Sequence, residues 1–335
     1  MKRILIIAEA GVNHNGSLEN AFKLIDAAKD AGADYVKFQT FKADKLVNKS
    51  AQKADYQKTN LPDVDNSQYA MLKKLELTEH MHNEILSYCE KKGIKFLSTP
   101  FDQDSIIFLK ALGVTIGKIP SGEITNLPYL RQMAHAFPEL IVSTGMCTME
   151  EVKDTVDALI AAGAQKENVT VLHCNTEYPT PMRDVNLKAM LNIKEELGIE
   201  IGYSDHTMGI EVPIAAVALG ATIIEKHFTL DRTMEGPDHP ASLEPGELKE
   251  MVRCIRNIEQ ALGGGFKIPS DSEKKNIQIV RKSIVAKVDM VKGATFSEEN
   301  LTVKRPGTGI SPMNWDKVIG QKANKNYKSD EIISL

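Results

Sequence analysis

Residues 199–229 read IEIGYSDHTMGIEVPIAAVALGATIIEKHFT, and the spacing of the two histidines in this stretch decides the architecture. His206 lies in Tyr203-Ser204-Asp205-His206-Thr207, and His227, 21 positions later, lies in Ile224-Glu225-Lys226-His227-Phe228-Thr229. Each follows a short β-branched run, at 199–201 and 222–224, of the kind that makes a buried parallel strand. A helix-length stretch, 209–220, separates the runs. Neighbouring parallel strands joined this way deliver both imidazoles to one end of the sheet, close enough to share an ion. That constellation points to an enzyme.

The same unit recurs along the first 230 residues: an amphipathic helix, a glycine, then a short strand ending in polar groups. Gly32, Gly93, Gly113, Gly163, Gly198 and Gly220 suit the left-handed residue that closes a helix. After the cap residue Ser17, Leu18, Ala21, Phe22, Ile25 and Ala28 form a buried stripe. Thr78 starts another helix, with Met81, Ile85, Leu86 and Cys89 on one face. Strands are expected near 4–8, 35–39, 96–99, 116–120, 140–144, 170–174, 199–203 and 222–225. Eight alternating βα units predict a closed (β/α)8 TIM barrel. An open doubly wound sheet needs a Gly-rich phosphate turn after the first strand, and Gly11-Val12-Asn13-His14-Asn15-Gly16 does not match that fingerprint.

The barrel is expected over 1–265. The pattern breaks at Gly263-Gly264-Gly265, and Ile268-Pro269-Ser270-Asp271-Ser272 reads as part of a linker over 266–282. A small C-terminal domain over 283–335 shows short strand runs at 283–286 and 301–303. A chain of that size is marginal as an independent core, so it is expected to lean on a partner surface. The polar stretch 41–68, with Lys42, Lys45, Lys49, Lys53 and Lys58, reads either as a lid or binding insertion or as a solvated excursion.

Formal net charge is −4 and the hydrophobic fraction is 42%. This balance predicts binding to neither nucleic acid nor an anionic membrane. No apolar run approaches the roughly 18 residues needed to span a bilayer. The start, Met1-Lys2-Arg3-Ile4-Leu5-Ile6-Ile7-Ala8-Glu9, meets a charge too soon for a signal peptide and reads as the first strand. Cys89, Cys147, Cys174 and Cys254 have no framework spacing, which fits core fillers in a reduced cytoplasm.

In a barrel, side chains at the C-terminal strand ends converge on one site. Those ends supply Glu9; Lys37 and Gln39; Thr99; Lys118, Ser121 and Glu123; Ser143 and Thr144; Asn175, Thr176 and Tyr178; Ser204 and His206; Glu225 and His227. Strand parity puts Lys37 with Gln39, Ser204 with His206, and Glu225 with His227 on shared faces. A lone histidine past a strand is more often a hydrogen-bonded scaffold residue, but two on successive strand ends favour a metal site. Two nitrogen ligands leave positions open for water and substrate, as a Lewis acid requires. Asp205 and Asp238 can orient such ligands or serve ordinary turns. His14 touches a ligand or caps the next helix, His173 lies within a strand, and His80, His82 and His135 are expected on helix surfaces. The place of His239 stays open. Lys37 and Lys118 suit a phosphate or carboxylate, with hydroxyls from Ser121, Ser143 and Ser204. A barrel lysine also admits Schiff-base chemistry, but strand six carries none and Lys226 has the wrong parity to face inward.

As a set, these segments resemble the bacterial sialic acid synthases, the phosphoenolpyruvate-dependent N-acetylneuraminate synthase family, over nearly the whole chain. The matches include Ala8-Glu9-Ala10-Gly11-Val12-Asn13-His14-Asn15-Gly16, Val36-Lys37-Phe38-Gln39-Thr40, Leu97-Ser98-Thr99-Pro100-Phe101 and Lys118-Ile119-Pro120-Ser121-Gly122-Glu123. Others are Ser143-Thr144-Gly145-Met146, Tyr178-Pro179-Thr180-Pro181, Ser204-Asp205-His206-Thr207, Glu225-Lys226-His227-Phe228-Thr229 and Gly236-Pro237-Asp238. Lys304-Arg305-Pro306-Gly307-Thr308-Gly309-Ile310 looks like the loop of the antifreeze-like (SAF) domain that closes these enzymes.

The resemblance implies condensation of phosphoenolpyruvate with an N-acylated amino sugar, giving a nine-carbon 2-keto acid and phosphate. Open-chain N-acetylmannosamine, giving N-acetylneuraminate, is the first reading. Legionaminic or pseudaminic acid synthesis, the same chemistry on a 2,4-diacetamido-2,4,6-trideoxyhexose, is the alternative. A Schiff-base lyase and a non-catalytic sugar-binding barrel rank below both. His206 and His227 would hold Mn2+, or Mg2+ or Co2+, which polarises the aldehyde. Glu9 and Gln39 match positions near the sugar, with Asp238 in the substrate set; Lys37, Thr99, Lys118, Ser121, Ser143, Tyr178 and Ser204 match positions around phosphoenolpyruvate. Glu123 and Glu225 would handle protons or the attacking water. Thr176 stands where some relatives have asparagine. Arg305 would enter the barrel mouth of the other subunit of a domain-swapped homodimer.

Overall fold

Eight parallel strands form one sheet in a computed structural model that describes residues 3–61 and 66–335. They are β1 (Leu5–Gly11), β2 (Tyr35–Thr40), β3 (Lys95–Pro100), β4 (Ile116–Ile119), β5 (Glu139–Ser143), β6 (Val169–His173), β7 (Glu200–Asp205) and β8 (Ile223–His227). Their neighbour order is β3-β2-β1-β8-β7-β6-β5-β4, and β4 packs back beside β3. The first strand thus pairs with both the second and the last. This is a nearly closed (β/α)8 barrel and not a doubly wound sheet.

The local signals act as expected. Ser17 Oγ accepts the Asn20 amide at the head of helix Leu18–Ala31, and Thr78 Oγ1 accepts the Met81 amide at the head of Glu79–Lys92. Both helices end on glycines with positive φ, Gly32 at 85° and Gly93 at 68°. A residue with a Cβ there would strain the turn that returns the chain to the next strand. The barrel core fills the space between these helices and the outward strand faces, with Ile6, Leu24, Ile85, Leu109, Val142, Val171, Tyr203 and Ile224 all buried.

Strand parity separates two environments. Outward residues pack on helices, while inward residues fill the cylinder. Its lower plug is apolar, made by Ile7, Leu97, Ile116, Ile141, Leu172 and Ile223. Gly202 sits beside this plug because a Cβ there would lie 2.5 Å from the Ile223 carbonyl oxygen and 2.4 Å from a Leu172 methyl. Parity also sends Lys226 and Asp205, register partners on β8 and β7, to the helix side. They form a fully buried ion pair. Lys226 also donates to the Thr207 carbonyl, and Asp205 accepts from the Thr207 amide and hydroxyl. Asp205 therefore serves the turn after β7, the scaffold role of the two weighed for it.

His82 departs from expectation, and two other stretches gain detail. His82 is not a helix-surface residue: it is 1% exposed, with Nε2 2.8 Å from Thr40 Oγ1 and Nδ1 2.9 Å from the Thr78 carbonyl. The stretch 41–68, of which 62–65 lie outside the described residues, contains short helices at Ala43–Leu46 and Asp55–Asn60 and leads into Gln68–Leu75. Phe41, Met71 and Leu75 from this region pack with Val12, so an apolar cluster underlies its polar sequence. The stretch read as a linker forms the helix Asp271–Val280, which buries none of its residues.

The chain divides into two compact units, Met1–Gly264 and Gly265–Leu335. The second pairs β9 (Ser283–Ala286) antiparallel with β10 (Leu301–Lys304). It has its own core of Ile284, Met290, Phe296, Leu301, Val318, Tyr327 and Ile333, drawn together by bridges such as Met290–Tyr327 and Val285–Ile332. Long-range bridges let so short a chain enclose apolar side chains. Among the described residues no helix is long and apolar enough to cross a membrane.

The Lys226–Asp205 pair yields a test of the scaffold. Removing one partner of a buried pair strands the other charge, at a cost of about 3–5 kcal/mol. Lys226→Met is expected to lower the unfolding free energy of the barrel by that amount, read from the shift in its urea midpoint, and adding Asp205→Asn should recover much of it. An unchanged midpoint in the single variant would show that the pair carries no such weight.

Candidate active site

Two residues beyond the apolar plug, the inward positions turn polar together. Along each strand Ile7 is succeeded by Glu9, Leu97 by Thr99, Ile116 by Lys118, Ile141 by Ser143, Leu172 by Cys174 and Ile223 by Glu225. Tyr35 leads likewise to Lys37, and Gly202 to Ser204. A period of two on a closed sheet puts these side chains in one layer. That layer is the floor of a cavity of about 570 Å³ at the C-terminal end of the barrel.

Glu9, Lys37, Lys118 and Glu225 are each between 1% and 3% exposed, so their charges must be settled by one another. Lys37 Nζ lies 2.7 Å from Glu9 Oε2 and 3.4 Å from Glu225 Oε2. Lys118 Nζ lies 3.3 Å from Glu225 Oε1. Hydroxyls complete the floor: Lys37 donates to Thr99 Oγ1 at 2.8 Å, Lys118 to Ser143 Oγ at 2.7 Å, and Ser204 to Glu225 Oε1 at 2.9 Å. The order Glu9–Lys37–Glu225–Lys118 alternates in sign. Gln39 Nε2 reaches Glu9 Oε1 at 3.5 Å.

The two carboxylates differ. Burial pushes the Glu9 carboxyl up to about 7, against the pull of Lys37 and with the added repulsion of Glu225. Burial also opposes ionisation of Glu225, but Lys118, Lys37 and the Ser204 hydroxyl outweigh it and hold its carboxyl well below the usual range. Glu9 can carry a proton near neutrality, whereas Glu225 stays an anion. Burial lowers the Lys118 ammonium, while the two carboxylates outweigh burial at Lys37 and raise it.

Above this floor stand the two imidazoles. Their ring centres are 5.3 Å apart. His206 donates Nδ1–H to the Asn175 carbonyl, which leaves Nε2 as the lone-pair nitrogen. His227 Nδ1 is buried with no hydrogen-bond partner; Asp238 Oδ2, at 4.0 Å, is too far. Burial lowers His206 to about 4, and burial with the neighbouring His206 and Lys37 pushes His227 well below its ordinary value. Both rings are thus neutral, the form that donates a lone pair. Among the described residues no group of three or more His, Cys, Asp or Glu is gathered to hold a metal. Two neutral imidazole nitrogens side by side are a donor pair that would fit a divalent ion. Gly11 lets the chain pass close by: its φ is 52°, and a Cβ there would lie 3.3 Å from His227 Cε1 and 3.2 Å from Glu9 Oε1.

Of the residues expected at the site, Glu9, Lys37, Gln39, Thr99, Lys118, Ser121, Ser143, Thr176, Tyr178, Ser204, His206, Glu225, His227 and Asp238 all line the cavity. Asp238 is buried, which pushes its carboxyl up to about 7. Glu123 is placed elsewhere, in the short turn Ser121–Glu123, where it accepts from Asn126 Nδ2 at 2.6 Å and borders a separate groove with Asp102 and Tyr129. The turn bends the chain after Ser121, so strand parity no longer applies two residues on. Arg305 is exposed on the C-terminal unit. His14 serves a turn: its Nδ1 accepts the Gly16 amide at 3.0 Å, and it is not among the cavity residues. His239 Nδ1 is 2.6 Å from Thr229 Oγ1.

Sequence reading left the stretch 41–68 open between a lid or binding insertion and a solvated excursion, and named none of the residues that form the roof. Phe41, Leu46, Val47, Tyr56, Gln57, Met71, Leu72 and Leu75 from the region after β2 face the cavity. Tyr56 stacks on Tyr178 with centroids 5.0 Å apart, and Tyr178 stacks on His206 at 4.0 Å. One tyrosine in a lysine-rich run carries no periodic signal that could have marked it.

A model described as the NeuB family matches residues 24–267, and a SAF domain model matches 281–335. The chain is 55% identical to an N,N'-diacetyllegionaminic acid synthase of Campylobacter jejuni, over 99% of each chain. It is 50% identical to one of Legionella pneumophila, over 97% of this chain and 91% of that one. Among solved structures, an N-acetylneuraminic acid (sialic acid) synthetase from Leptospira borgpetersenii in complex with citrate superposes with a TM-score of 0.71 at 35% identity, covering 82% of this chain and 90% of that chain. With family models matched over both units and full-length relatives at half or more identity, the chain belongs to the NeuB family, carrying a C-terminal SAF domain.

Proposed function

We propose that the acceptor is 2,4-diacetamido-2,4,6-trideoxymannose and the product N,N'-diacetyllegionaminic acid with inorganic phosphate. The chain is an enzyme of the phosphoenolpyruvate-dependent, C–C bond-forming kind. The observation that carries the choice of sugar is identity at half or more of all positions to the two legionaminic acid synthases, against about a third to the sialic acid synthetase. N-acetylmannosamine, the first expectation from sequence, yields to its alternative. The roof supports this reading. Its cavity-facing residues include Phe41, Leu46, Met71, Leu72 and Leu75 and, among the described residues, no lysine or arginine. Such a wall suits a C6 methyl and acetyl methyls, each buried methyl contributing about 0.8 kcal/mol, and has no cation for a sugar phosphate.

In this mechanism Lys37 and Lys118 hold the phosphate and carboxylate of phosphoenolpyruvate, with hydroxyls from Thr99, Ser121, Ser143 and Ser204. The enol carbon C3 attacks the open-chain aldehyde carbon, leaving C2 electron-poor. Glu225, whose carboxyl Lys118 and Lys37 hold below the usual range, stabilises that positive charge. Glu9, next to His227 in register and able to hold a proton, protonates the new alkoxide. Water then adds to C2 and gives one proton to the now-ionised Glu9; the new C2 hydroxyl passes its proton to the departing phosphate as C2=O forms and the bond between C2 and the phosphate's bridging oxygen breaks. His206 and His227 would hold a divalent ion, Mn2+ by the family resemblance, which would supply Lewis acidity at the aldehyde.

Two measurements test this reading. Phosphate release with phosphoenolpyruvate, Mn2+ and a panel of amino sugars should show kcat/KM at least about tenfold higher for the diacetamido sugar than for N-acetylmannosamine. Equal or reversed preference would overturn the acceptor. His227→Ala should lower kcat/KM by about a thousandfold or more and abolish divalent-ion binding in equilibrium dialysis, with the unfolding midpoint retained. Wild-type turnover by that variant in chelator-treated buffer would refute the Lewis-acid role.

A further inference from the structure

The Asn175 carbonyl fixes only the Nδ1 corner of His206; a ring held at one corner can still rock about that bond. Its face is fixed by packing, and the packing partner is Tyr178, 4.0 Å away and inclined by 29°. Tyr178 also sets its ring at 84° to His227, with centroids 5.5 Å apart, so one phenol ring touches both imidazoles. Yet Tyr178 belongs to the connection after β6, outside any helix or strand. A ring on such a segment needs a second face contact to stay put.

That contact is Tyr56, whose ring stacks on Tyr178 with centroids 5.0 Å apart and planes inclined by 24°. It sits in the helix Asp55–Asn60, whose last residue donates Asn60 Nδ2 to the Pro237 carbonyl at 2.7 Å. Pro237 adjoins Asp238, which faces His227. This one helical turn therefore braces the connections after β6 and β8, one behind each imidazole. Among the described residues the Tyr56 hydroxyl has a local contact, from Gln57 Nε2 at 3.3 Å, so the ring and not the hydroxyl makes the link.

We propose that Tyr56 is a positioning residue: through a three-ring column, Tyr56–Tyr178–His206, docking of the segment after β2 locks the imidazole that faces the acceptor carbonyl. The inference rests on the acceptor-activating role proposed for His206, but not on which sugar is used. Lys37 and Lys118 hold phosphoenolpyruvate on the floor; the family resemblance puts Tyr178 near that substrate as well, but Tyr56 stands one ring further back, so the Tyr56 variants carry the KM comparison. Loss of the stack should therefore lower kcat while leaving KM for phosphoenolpyruvate unchanged.

The test compares wild type, Tyr56→Phe, Tyr56→Leu, Tyr178→Leu and the Leu/Leu pair with whichever acceptor the wild type turns over. A wrong sugar assignment then appears in the wild type, before any variant is read. Tyr56→Phe should stay within about twofold of wild type. Tyr56→Leu should lose about tenfold or more in kcat at constant KM for phosphoenolpyruvate and constant thermal midpoint. The pair should be no worse than Tyr178→Leu alone, because both changes break the same column. In substrate-free protein labelled with ¹³C-histidine, the His206 signal should shift or broaden in Tyr56→Leu and return in Tyr56→Phe. If Tyr56→Leu does not fold, Tyr56→Met takes its place in the same comparison. Wild-type kcat in the leucine variant, losses that multiply in the pair, or an unmoved His206 signal would overturn the proposal.

Discussion

A floor of four buried ionisable side chains constrains everything above it. Water cannot screen charges at this depth, so Glu9, Lys37, Glu225 and Lys118 have to neutralise one another within the layer they share. Alternation of sign achieves this. It also leaves two ammonium groups that can exchange a carboxylate partner for an incoming anion without ever being left unpaired. The apolar plug beneath, from Ile7 round to Ile223, keeps the floor from sinking into solvent at the other end of the cylinder.

Strand parity divides the ionic chemistry of the barrel between two jobs. Lys226 lies between Glu225 and His227 in sequence, yet faces the helices and binds Asp205. Its neighbours face the cavity. Adjacent residues thus serve scaffold and site with no shared contact, and the tightest ion pair in this region stabilises the turn that carries His206. The environments also separate the carboxylates: the same residue type stays ionised at Glu225, between two lysines, and can hold a proton at Glu9, beside one.

The roof follows a different logic. Its described residues come from a segment of short helices, and its hold on the site combines the apolar cluster around Val12 with ring stacking and one side-chain amide. Such contacts are individually small, about 0.5–1.5 kcal/mol for an aromatic pair, which suits a part that must admit two substrates. The floor can be rigid because it is built on strands, and the roof can be adjustable because it is not.

Strand order, the turn from apolar to polar along each strand, and the pairing of His206 with His227 were all legible in sequence, because a period of two and helix-ending glycines are local rules. The expected strand bounds fall within two residues of those observed, except that β1 runs three residues further, to Gly11. The same rule failed at Glu123, where a turn of three residues intervenes, and at His82, whose burial depends on Thr40 and Phe108 from other elements. Sequence by itself determined which residues reach the mouth of the barrel. Only the tertiary structure decided that Lys37 bridges two glutamates, that Glu9 and Glu225 differ in acidity, and that Tyr56 completes the stack. Those outcomes depend on distances across the cylinder between strands far apart in the chain, which no local pattern encodes.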